Sequence, residues 1–338
     1  MRGLPMSLIT QYGLPLYKTK EGFKYPKALE FWDTHDKMVW HKHEVSLGED
    51  VKHFYQASNT EKEFIINILR LFTQNDTQAT SGYTTLLRIF KPFEVIAMLA
   101  SFLDREITHV QAYANLTDTL GLGDQVYTEF LDIPVMENKI SYLEKAKVKK
   151  YEEYKALGMT DIEVDKEYRR SIARMLAVYA SGLESVELMA QFAMLLTYQE
   201  QGKYPGMCDT VIWSIKDEQM HVLGNSWLFR EFIKENPDIW GNSLKFDIYQ
   251  AMREIVAGED ALLDYLNPPH LDKEIFKQYV RHRADFALKE IGMKPNWGIE
   301  INPLPYMETI TAPVLADFFS SRVTEYSTSL SGSWEDLR

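Results

Sequence analysis

The sequence predicts an all-α protein built as a bundle of long helices. Three observations predict it. Apolar residues recur at helical spacing over four long segments; turn residues cluster between those segments; and the alternation of β-branched residues that marks strands is almost absent. The sequence shows neither repeats nor low-complexity tracts.

Residues 1–26 read as irregular, with prolines at 5, 15 and 26. Residues 27–57 form a mixed, aromatic-rich segment that includes Phe31, Trp32, Trp40 and Phe54. Ser58-Asn59-Thr60 before Glu61 is an N-cap setting with acidic residues in the first turn, and opens a first long helix that runs to about Phe90. Pro92 restarts the chain for a second helix to about Leu120, stopped by Gly121 and Gly123. Residues 124–167 are a charged connection, partly helical over 139–157; it is too long for a tight turn and is expected to cross over the bundle. A third long helix is expected over 168–201, ending before Gly202-Lys203-Tyr204-Pro205-Gly206. A fourth spans about 207–235, and further helices cover about 243–265 and 271–292. From Pro295 the chain turns irregular, and 320–338 reads as a tail.

At 338 residues and 45% apolar content the chain can bury one large core or two modest ones. A formal charge of -12 opposes nucleic-acid partners and anionic membrane surfaces, which draw on Lys and Arg. The single cysteine, Cys208, excludes an internal disulfide or a redox-active cysteine pair. No apolar run reaches membrane-spanning length, and Met1-Arg2-Gly3-Leu4-Pro5 lacks the apolar core of a secretion signal, so a soluble, cytoplasmic protein is expected. Gly121-Leu122-Gly123 lacks the third glycine of a dinucleotide fingerprint.

The chemistry starts from histidine. Two of the eight have Glu three residues before them, in Glu106-Ile107-Thr108-His109 and Glu218-Gln219-Met220-His221. On the second helix Leu99, Phe102, Leu103, Glu106, His109, Val110 and Tyr113 share one face, so the carboxylate and the imidazole point into the core. Glu184 lies in line with Ala177, Leu188, Phe192 and Leu195 on the third helix, and Asp76 with Leu69, Phe72 and Tyr83 on the first. Each has an ordinary reading taken singly: an ion-paired Glu beside a satisfied core histidine, Glu184 paired to Arg174, Asp76 as a local polar residue. Together, one carboxylate each from helices one and three and Glu-x-x-His from helices two and four make the dimetal arrangement of ferritin-like carboxylate proteins. Burying carboxylates costs several kcal/mol unless they are paired or bind metal. Four of them offset two divalent ions, and one imidazole per ion leaves coordination positions open.

On these residues the chain resembles the small, radical-generating subunit of class I ribonucleotide reductase, over about residues 28–326. Asp76-Thr77-Gln78 is similar to that family's first-ligand motif, and Glu106-x-x-His109-x-x-x-Tyr113 to its second. Leu183-Glu184 and Lys216-Asp217-Glu218-x-x-His221 resemble the third and fourth. Phe318-Phe319-x-x-Arg322-Val323-x-Glu325-Tyr326 resembles the segment before the family's mobile tail. The resemblance implies one ferritin-like helical domain over 1–319 with an N-terminal extension, and a flexible tail over 320–338 that docks a partner. It implies two metal ions per chain, iron, manganese or a mixed pair. Asp76, Glu106 and His109 would hold one, Glu184, Glu218 and His221 the other, with Glu106 and Glu218 bridging. Activated by oxygen species, the centre would take an electron from Tyr113. Asp217 would link His109 to Trp40, a relay tryptophan. A homodimer and a separate large catalytic subunit are implied, because ribonucleotide reduction of this kind needs several cysteines and this chain has one.

Taken alone, Tyr113 and Trp40 would read as core aromatics, and His41 with His43 as a solvated turn. Ser214 and Leu188 are smaller or more polar than the residues that often shield the family's tyrosyl radical, which leaves the metal pair as the alternative seat of the oxidant. A ferritin-like oxidase or hydroxylase acting on a small apolar ligand would share the six ligands but not need Tyr113, Asp217, Trp40 or the tail. A metal-storage or purely structural bundle is the non-enzymatic alternative.

Overall fold

The computed structural model describes residues 7–9, 22–149, 151–268 and 270–311. Within them the chain is a helical bundle with no strand. Its helices are α1 (Pro26–Asp36), α2 (Gly48–Gln56), α3 (Asn59–Ile89), α4 (Phe93–Thr119), α5 (Pro134–Ala146), α6 (Tyr151–Ala156) and α7 (Asp161–Ala177). A π-helical segment (Val178–Leu188) leads into α8 (Met189–Glu200), followed by α9 (Pro205–Glu235), α10 (Asn242–Leu266) and α11 (Lys273–Glu290).

The long helices begin and end where local chemistry directs. Ser58 accepts a hydrogen bond from the Glu61 amide at 3.2 Å and starts α3. Gly121, at φ 74, takes the left-handed turn that closes α4. Two starts fall earlier than the sequence reading placed them. A capping box between Thr160 and Glu163 begins α7 at Asp161 rather than near 168, ahead of any apolar periodicity. The N-terminus of α9 moves up to Pro205 because buried Asp50, from α2, accepts the amides of Gly206 at 3.0 Å and Met207 at 2.7 Å.

Four helical rods make the centre: α3, α4, the continuous run from α7 through α8, and α9. Side-chain pairs give their directions. Along α4, Tyr113 meets Phe72 of α3 and Phe102 meets Tyr83, so these two run antiparallel. Tyr113 meets Ser214 of α9 and Phe102 meets His221, so α9 also opposes α4. The π-helical segment approaches α3 closely enough that a Cβ on Gly82 would lie 2.4 Å from the Tyr179 ring. α1 lies across α4 and α9, and α10 and α11 cover the π-helical segment from outside. From α11, buried Arg283 donates to the Ser185 carbonyl at 2.9 Å and to its hydroxyl at 3.0 Å.

The connection between α4 and α7 packs α5 against α3, α10 and the π-helical segment. Its fastening is ionic: fully buried Lys139 pairs with Glu187 at 3.4 Å and with Glu259. Burial holds the Lys139 ammonium below its usual range and pushes the Glu187 carboxyl up to about 7. None of the described helices is long and apolar enough to cross a membrane.

Candidate metal centre

Asp76 projects from the middle of α3, Glu106 and His109 from α4, Glu184 from the π-helical segment, and Glu218 and His221 from α9; all six are buried. They form two overlapping groups: Asp76, Glu106, His109 and Glu218, and Glu106, Glu184, Glu218 and His221. In each group one oxygen or nitrogen per residue lies within 4.8 Å of every other. Glu106 and Glu218 belong to both. The two imidazole centroids are 6.3 Å apart, inside the span of a shared two-ion site. Both histidines turn Nδ1 inward: His109 Nδ1 is 3.0 Å from Glu218 Oε1, and His221 Nδ1 is 2.9 Å from Glu106 Oε1 and 3.0 Å from Glu218 Oε2.

The donor set fits metal. Both carboxylate oxygens of Asp76 and Oε2 of Glu106 are buried without a hydrogen bond among the described residues, a costly arrangement unless a cation or protons neutralise them. Protons are the substitute when no ion is bound. Burial, then the neighbouring carboxylates, holds Asp76 and Glu106 above the usual carboxylate range; burial also raises Glu184. Burial disfavours the charged imidazoles, but the carboxylates override it: His221 is pushed up to about 10 and His109 is also raised. Two divalent ions would displace these protons and balance four carboxylates. Glu184 does not pair with Arg174, which binds Glu167 at 3.0 Å instead.

Asp217 is the hub of the surroundings. Its Oδ2 accepts from Trp40 Nε1 at 2.8 Å and lies 3.1 Å from His109 Nε2, and its Oδ1 is 3.3 Å from His35 Nε2. Burial opposes its charge, yet hydrogen bonds from His109 and His35 hold its carboxyl well below the usual range. Trp40 stacks on His109, with centroids 5.8 Å apart, and touches the half-buried Trp213 at 5.4 Å, beside a surface cleft flanked by Lys37 and Lys216. Tyr113 is buried next to Phe72 and Phe192, and its hydroxyl donates to Ser214 Oγ at 2.9 Å.

Three residues absent from the sequence reading of the site join it. His35 braces Asp217; its position five residues before Trp40 carries no periodic signal. Tyr83 donates to Glu184 Oε1, and Asn225 donates to Tyr83 Oη at 2.7 Å and to Glu184 Oε2 at 3.3 Å. Tyr83 shares the Asp76 face of α3 and Asn225 lies one turn beyond His221, so helical periodicity is the signal that could have found both. His41 and His43 are exposed in a turn where the His41 amide donates to Glu44 at 3.0 Å. The thiol of Cys208 is buried and pushed up to about 12, chiefly by burial, which leaves it a poor nucleophile.

The chain matches the family "Ribonucleotide reductase, small chain" over residues 20–303. The chain belongs to that family. A "Probable ribonucleoside-diphosphate reductase small subunit" of Invertebrate iridescent virus 6 is 32% identical over 93% of this chain and 95% of its own length. Among solved structures, the ribonucleotide reductase R2 subunit from Clostridium botulinum superposes with a TM-score of 0.79 at 21% identity, covering 90% of this chain and 94% of that one. An R2-like ligand-binding oxidase superposes with a TM-score of 0.67 at 14% identity, over 84% of this chain and all of the other. A ferritin-like, dimetal-binding oxidoreductase fold is thereby shown, and membership of the small-chain family implies a separate catalytic subunit. The expected tail at 320–338 and the Phe318 to Tyr326 motif lie outside the described residues.

Proposed function

We propose that the chain is the radical-generating small subunit of a class I ribonucleoside-diphosphate reductase. Asp76, Glu106 and His109 would hold one ion and Glu184, Glu218 and His221 the other, with Glu106 and Glu218 shared. When bound, two iron ions, two manganese ions or a mixed pair, activated by an oxygen species, supply an oxidant strong enough to take an electron from a side chain.

The observation that carries the reading is the line from His109 through Asp217 to Trp40, which leads out of the buried centre to the cleft beside Trp213. A hydroxylase working on a substrate held over the metals has no use for that line, although the shared fold keeps it as the second reading. Asp217 accepts both the imidazole and the indole proton on one oxygen, so it orients the two rings and stabilises positive charge on either. Burial, with Asp76 next, holds the Tyr113 phenol far above its usual range, so it stays neutral and gives up proton and electron together. Ser214 Oγ accepts the hydrogen bond from that phenol and would orient its proton. The radical, on Tyr113 or retained by the metals, would pass to the large catalytic subunit, docked through residues 320–338 onto a homodimer of this chain.

The test is metal quantification and electron-spin resonance on protein loaded with iron, manganese or both, with reductase assays alongside the large subunit. Two ions per chain are expected, with activity only when both subunits are present. Tyr113→Phe should keep both ions; loss of a tyrosyl signal and of at least about a hundredfold of activity would put the radical on Tyr113, and unchanged activity would put the oxidant on the metal pair. A tightly bound lone zinc, or activity in the isolated chain, would overturn the assignment.

A further inference from the structure

We propose that Tyr83 and Asn225 are positioning residues that fix Glu184 and thereby set how tightly the Glu184–His221 half of the centre holds its ion. The inference rests on the two-ion reading above and concerns what makes the halves differ. Glu184 is the one carboxylate of the six-residue set supplied by π-helical backbone, whose geometry differs from that of the α-helices carrying the other five. It is also braced at both oxygens: the Tyr83 hydroxyl donates to Oε1 and the Asn225 amide to Oε2. Asp76, its counterpart on α3, has no hydrogen bond at either oxygen among the described residues.

The direction of the brace follows from proton counting. A phenol has one proton to donate, and the Asn225 amide nitrogen, 2.7 Å away, only donates. Tyr83 Oη therefore accepts from Asn225 and directs its own proton at Glu184. The ring cannot easily swing away, because it packs edge-on to Phe102 at 5.9 Å and to His221 at 5.7 Å. Hydrogen bonds to ligating groups typically account for about 10–100-fold in metal affinity. Glu184 has two of them, so their loss should be felt by the ion it holds and not by the ion beside Asp76.

The test is anaerobic titration of the metal-free full chain with Mn(II), read by electron-spin resonance, which separates an isolated ion from a spin-coupled pair. The wild-type chain should form the coupled pair. Tyr83→Phe keeps the ring and removes the oxygen; it should weaken the second ion by about 10–100-fold, leaving an isolated-ion spectrum near one equivalent, with the first ion bound within about threefold of wild type. Asn225→Ala should act in the same direction, and carries the test if Tyr83→Phe does not fold. Circular dichroism of each variant should match wild type. A coupled pair of wild-type affinity in both variants, or equal weakening of both ions, would overturn the inference and leave the two-ion reading intact. A wild-type chain that never forms a pair would instead overturn that reading, and the inference with it.

Discussion

The two halves of the centre share Glu106 and Glu218 but differ in how their remaining groups are supported. Around Asp76 and His109 the backbone is regular α-helix, the outer nitrogen of the imidazole faces a carboxylate, and the aspartate is unbraced. Around Glu184 and His221 the support reverses: the carboxylate is braced by two donors, while His221 Nε2 has no hydrogen-bond partner among the described residues. One half fixes its nitrogen ligand and leaves its oxygen ligand free to adjust. The other fixes its oxygen ligand. A pair of ions held this way would have one well-anchored donor on each side, and the first half is hydrogen-bonded, through Asp217, to Trp40.

The comparison breaks most completely at the shared residues. Glu218→Ala should remove both ions, with affinity falling at least about a hundredfold at each half; a variant that still binds one ion at wild-type affinity would show that Glu218 serves a single half. Metal content after desalting reads this directly.

Acidity tests what the centre does without metal. His221 is raised from an unfolded value of 6.5 to about 10, and Asp76, Glu106 and Glu184 are raised as well. A group whose folded value lies above its unfolded value favours folding at low pH, and that gain is lost as pH climbs through the folded value. Glu218 and Asp217 are lowered and fully ionised in this window, so they contribute no slope. The metal-free protein should therefore lose stability between pH 6.5 and about 10, on the order of a few kcal/mol. Loaded protein should gain relative to it, because ion binding releases protons. Thermal melts with and without Mn(II) check the sign; parallel curves would mean that the cluster is not protonated as described.

A smaller effect isolates the first half. Asp217→Ala removes the outer partner of His109 and should weaken the ion beside Asp76 by about 10–100-fold, with the Glu184 side unchanged. The same spin-resonance titration reads it, and equal weakening of both ions would make Asp217 a general structural support.

Much of this is legible in the sequence. The six converging residues announce themselves because Glu-x-x-His places two donors one turn apart on a core-facing stripe, and four such stripes recur on successive rods. Helix ends marked by Ser58 or Gly121 are local and readable. The π-helical segment was not, since residues 178–188 carry apolar spacing that suits an α-helix equally well. The start of α9 depends on Asp50, contributed from another helix, and no local pattern reports it. Tyr83 and Asn225 lay on the right faces, yet their partner comes from a third rod. His35 needs the tertiary fold before it has any meaning.

Lys139 also escaped notice, and its setting governs how the molecule responds to ionic strength. Salt screens charges that meet water, such as Lys277 with Asp264 or Arg169 with Asp238, and those contacts fade as counterions accumulate. The ammonium enclosed by Glu187 and Glu259 is out of reach of dissolved ions. The strap across the bundle is thus tied by an electrostatic knot that brine leaves intact while the surface network loosens around it.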